Sequence, residues 1–261
     1  MAFKGVTDLT SREIITYAAS QPTLNDANFF VVLSPEATAA WDHVFTALEA
    51  YGRDLVLLTS PDLTQDYKDS AVNLAQQVQQ TGEHLKGAGV FGNSPQTSTL
   101  LATAFTKLGD VLLKARAHAE AKKILLATDP VVTDVFGQMA GAVGDSHQTG
   151  LRGTVFEHWE QIKGGTRVAF LKAVQAGDGA ARLALANEFV DLISQQQAQD
   201  LSLASLRRSF LTLARVHREM AQGNNVSAAQ AVNETLQELA DTKALYERFK
   251  AIGDNAGKSH Q

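Results

Sequence analysis

Apolar residues recur along this chain at alternating intervals of three and four, and little else in the sequence limits its fold so tightly. Trp41, Val44, Leu48, Tyr51, Leu55 and Leu58 form one such seam, and Leu63, Tyr67, Ala71, Leu74, Val78, Thr81 and Leu85 form the next. A third runs Leu101, Phe105, Leu108, Leu112, Ala115, Ala119, Lys122 and Leu126, and further seams follow to Phe249. Side chains spaced in this way share one side of an α-helix and bury only when a second helix crosses at a shallow angle. The spacing predicts an all-α protein, an elongated antiparallel bundle of about seven helices with heptad-like seams.

Breaks between the seams carry the chemistry of helix ends. Thr10-Ser11-Arg12-Glu13 is a capping box, and Ser34-Pro35-Glu36, Ser60-Pro61-Asp62 and Ser94-Pro95 place a hydroxyl before a proline that suits the first helical turn. Phe29 to Leu33 reads as a short extended piece or a plug. Thr128-Asp129-Pro130 repeats the start signal, so a separate short helix is expected there. A helix from about 149 to 176 is weakened by Gly164-Gly165, and Gly177-Asp178-Gly179 marks a break. Gln195 to Gln199 is a polar run, Gly223-Asn224-Asn225 ends a helix, and Ser227 caps the last one. Residues 1–261 are read as one helical-bundle domain, with sub-bundles at 35–127 and 149–253 and an N-terminal arm at 1–33.

Composition removes several function classes. The chain has no cysteine, which excludes disulfides, thiolate metal sites and a cysteine nucleophile. The net charge is −5, which disfavours nucleic acid as a partner. Residues 1–70 hold 4 basic and 10 acidic side chains, an asymmetry that a solvated face explains. No apolar run is long enough to span a bilayer, and no export signal is visible. Abundant Ala, Gln and Thr with few Lys suggests a bacterial exported protein, in the periplasm or cell envelope rather than the cytoplasm.

Several motifs match a pattern without its context. Gly87-Ala88-Gly89-Val90-Phe91-Gly92 fits a phosphate-binding loop, which requires a preceding strand, whereas a helix precedes it here. None of His43, His84, His118, His147, His158 or His217 has an acidic residue three positions earlier, as helical di-metal sites require. Glu157-His158-Trp159-Glu160 cannot converge on one face, so Trp159 is expected inward and its neighbours in water. Arg207, Arg208, Arg215 and Arg218 gather on one side of a helix without interleaved aromatics, a set that salt bridges explain. His217 falls on an apolar face between Leu213 and Met220, where a buried histidine is the ordinary reading.

No catalytic, cofactor or metal residue is assigned, and no cofactor is expected. The functional expectation is a non-enzymatic interaction or scaffold protein that binds a protein partner. The alternative is a small-ligand binder or an enzyme with an interhelical pocket. Trp41, Tyr51, Tyr67, Trp159 and Tyr246, with Arg208, Arg215 and His217, are the candidate pocket or interaction residues.

Overall fold

In the computed structural model the described residues are 35–58, 65–87, 95–115, 121–222 and most of 233–247. Six helices have defined bounds: α1 Pro35–Leu58, α2 Gln65–Gly87, α3 Pro95–Ala115, α4 Ala121–Val143, α5 Gly150–Gln175 and α6 Gly179–Gln222. Further helical residues lie between 233 and 247, and no strand occurs among the described residues. The molecule is a helical bundle in which α1 packs on α2, α2 on α3, α3 on α4, and both α4 and α5 on α6.

The α2–α3 pair is drawn close by small residues. Ala75 and Gly82 on α2 meet Ala102 and Gly109 on α3, each pair seven residues apart and buried. A Cβ on Gly82 would stand 3.0 Å from the Ala102 carbonyl oxygen, and one on Gly109 would stand 3.0 Å from that of Ala75. The backbones therefore approach as closely as hydrogen side chains permit, in an antiparallel register.

The 44-residue α6 is the spine of the fold. At 1.5 Å per residue it extends about 66 Å. Its buried line runs Leu192, Gln199, Leu203, Leu206, Phe210, Leu213, His217 and Met220, a heptad pattern from Leu192 to the C-terminal end of the helix. The C-terminal half of α6 meets α1 and α4: Trp41 and Phe45 contact Phe210 at centroid separations of 6.2 Å, and Arg218 Nη2 donates to Thr133 Oγ1. Its N-terminal half packs on α5, through Trp159 to Gln199 and Thr166 to Glu188. Helices α1 to α4 and α6 from residue 202 onward thus form a body, and α5 with residues 179–201 of α6 forms a two-helix arm.

Two sequence expectations change. Thr128-Asp129-Pro130 does not start a helix, because α4 runs through it from Ala121, and Lys122 and Leu126 belong to α4 rather than to α3. Ile124, Leu125, Val132 and Val135 are buried on both sides of the proline, so tertiary packing outweighs its local preference. Pro130 itself is exposed, and the Thr128 hydroxyl donates to the carbonyls of Ile124 and Leu125 at 3.0 and 3.2 Å. Gly164-Gly165 likewise leaves α5 unbroken. The capping box at residues 10–13, the 29–33 segment, the 88–92 loop, His118 and the 223–227 helix end lie outside the described residues.

Candidate functional site: a buried Tyr–His pair, an elbow and an exposed arm

Of the candidate residues, Tyr51 and His217 are brought together. Each lies on the inward line of its helix, and the chain folds back over a separation of 166 positions so that the Tyr51 hydroxyl hydrogen-bonds His217 Nδ1. His217 is 1% exposed, and its buried Nε2 has no hydrogen-bond partner among the described residues. Burial lowers the His217 pKa to about 4, against the opposing pull of Asp129 and the Leu125 carbonyl. The ring is therefore neutral at physiological pH. Beside Tyr51 a cavity of about 10 Å³ is lined by Leu48, Val78, Phe105, Leu108, Val132 and Phe136 among others. Such a space holds at most one water, and its apolar walls offer that water almost no partners.

Trp41 is in the body core beside Phe45 and Phe210, whereas Trp159 is in the arm, so the two tryptophans do not line a common site. Arg208 and Arg215 are exposed; Arg215 pairs with Glu219 at 2.7 Å within its own helix, and Arg218 approaches Asp129 at 3.9 Å. The Tyr67 side chain and Tyr246 lie outside the described residues.

An elbow at residues 144–149 turns the chain from body to arm. Gly144 and Gly150 have φ values of +93° and +57°, and a Cβ on either would strike a backbone carbonyl, Thr149 at 2.0 Å or Ala142 at 2.5 Å. Thr149 Oγ1 accepts from the Asp145 and Ser146 amides and donates to Asp145 Oδ1 at 2.9 Å. Arg152 grips Asp200 of α6 with two hydrogen bonds, 2.9 Å from Nε and 3.0 Å from Nη2, and donates a third to the Asp145 carbonyl. His147 Nε2 lies 3.1 Å from Asp200, and its ring stacks on Phe156 at 4.4 Å. Burial raises the Asp200 pKa, but hydrogen bonds from His147 and Arg152 outweigh it and hold the carboxyl below its usual range.

Polar groups form much of the interior of the arm. Buried Trp159 donates its Nε1–H to Gln199, and Lys163 reaches Gln196 at 2.8 Å while pairing with Glu160. The hydrogen bond from Lys163 lowers the Glu160 pKa despite partial burial. Thr166 donates to Glu188, and Arg167 stands over the Phe189 ring at 5.2 Å. Gln196 and Gln199 thus supply two of the cross-links of the arm. His158 is half-buried rather than in water; burial lowers its pKa, with Glu157 opposing.

The outside of the arm is unusually apolar. Val168, Leu171 and Val174 on α5, and Leu183, Val190 and Leu201 on α6, are all exposed, with Leu171 at 59% and Leu201 at 67%. Among the described residues no three His, Asp or Glu side chains converge as a metal site, and no helix is long and apolar enough to cross a membrane. The chain matches no family model, no curated protein and no solved structure.

Proposed function

We propose that the protein is a non-enzymatic interaction module whose α5–α6 arm presents an apolar surface to a protein partner. The observation that carries this reading is the placement of large exposed hydrophobics, six of which fall on the arm and three elsewhere among the described residues. Exposed apolar groups collected in one region are a mark of binding surfaces. The arm is also held in one conformation, by the Arg152–Asp200 grip at its base and the glutamine cross-links along it, so little ordering entropy opposes docking. On α5 the exposed Val168, Leu171 and Val174 follow one another at intervals of three, so successive members are neighbours on the helix surface.

The test is affinity capture from the source organism with two baits, the native chain and a Val168→Lys/Leu171→Lys variant. A protein held in stoichiometric amount by the native bait and lost from the variant is the expected result. Identical captures by both baits contradict the reading. A metabolite that raises the melting temperature in proportion to its concentration would also contradict it, in favour of a ligand pocket.

A further inference from the structure

The outer face of α6 differs from that of α5 in carrying no charge. Leu183, Ala186, Asn187, Val190, Ser194, Gln197, Ala198 and Leu201 are all exposed and fall within about 60° of one line, since successive helical residues turn by roughly 100°. This line spans about 27 Å, directly opposite the side of α6 that packs on α5. Beyond it the same face becomes charged at Arg208 and Arg215. A solvated helix ordinarily carries Lys, Arg, Glu or Asp along such a face.

The stripe is also symmetric in its residues. Read outward from residue 192 in both directions, Leu183 corresponds to Leu201, Ala186 to Ala198, Asn187 to Gln197 and Val190 to Ser194. Large residues stand at both ends, and small or amide side chains stand at matching positions between them. Arg182 and Asp191 border the stripe on opposite sides, and Asp200 is held by Arg152 and His147 of its own chain. Residues 150–200 hold five basic and six acidic side chains, a balance of −1, so little net repulsion opposes the meeting of two arms.

We propose that this stripe docks on the same stripe of a second copy of the chain, antiparallel and about a two-fold axis level with Leu192. In that register Leu183 faces Leu201 of the second copy and Ala186 faces Ala198, while the small residues between let the helices approach. A two-fold interface requires one patch that is complementary to itself, and residues 183–201 meet that condition in the order of their large, small and amide side chains. The contact lies wholly within the arm and leaves the Val168–Leu171–Val174 line of α5 free, so failure of either proposal leaves the other standing.

The absence of cysteine makes the register directly testable. Leu183→Cys and Leu201→Cys proteins would be prepared separately, then oxidised alone and mixed, with sedimentation of the unmodified chain over rising concentration as the parallel measurement. Both sites are exposed, and circular dichroism checks that each variant is folded. The expected result is reversible dimerisation, a disulfide-linked heterodimer in the mixture, and little product from either variant alone. Adding Val190→Lys to both should weaken association roughly tenfold or more. A monomer at every concentration overturns the proposal. So does equal cross-linking in the single-variant solutions, or a dimer indifferent to Val190→Lys.

Discussion

Replacing Tyr51 by Phe removes one hydroxyl and leaves His217 Nδ1 buried without a donor. The expected cost is about 1–3 kcal/mol of unfolding free energy, read from urea denaturation. His217 also links stability to pH. Its folded pKa of about 4 lies below the ordinary value of 6.5, so between those limits the unfolded chain binds the extra proton. The stability that neutral burial preserves is therefore complete above about pH 6.5 and lost as pH falls towards 4, by roughly 3 kcal/mol in all. A His217→Gln variant should lack this part of the pH slope when both proteins are titrated by denaturation. At this scale the sequence placed each residue on an inward line but not the contact between them. Helical spacing fixes which side of a helix a residue occupies and carries no information about what meets it 166 residues away.

At the scale of the element, helix starts at Pro35 and Pro95 and the break before Gly179 were legible, because capping chemistry is local and nothing in the packing opposes it. Pro130 carries the same local signal, but the buried residues around it impose the opposite outcome. Pro130→Ala restores an N–H that the Leu126 carbonyl lacks and should stabilise the protein by about 1–3 kcal/mol in thermal or urea unfolding. A Gly82→Leu change acts the other way. It forces α2 and α3 apart where their backbones nearly touch, and a loss of about 1–3 kcal/mol or more is expected in the same assay. The glutamine run was legible only as polar. That Gln196 and Gln199 turn inward depends on Lys163 and Trp159 waiting on α5, and that pairing exists only after the hairpin closes.

At the scale of the molecule, the bundle followed from the seams, but the division into body and arm did not. It arises because α4 and α5 lie one after the other along α6, with an elbow between them that two left-handed glycines permit. Among the described residues, α5 packs along the N-terminal end of the spine through Trp159 and Thr166, and the outer apolar residues there stay in solvent. The arm, and both proposals built on it, require that α6 be one uninterrupted helix through its polar middle. Spin labels at Ala180→Cys and Arg215→Cys, diluted with unlabelled protein, measure this directly by pulsed electron–electron resonance. An unbroken helix predicts one narrow distribution near 50 Å, from 35 residues at about 1.5 Å each. A broad or markedly shorter distribution would mean that α6 breaks near Gln195–Gln199 and would contradict the account.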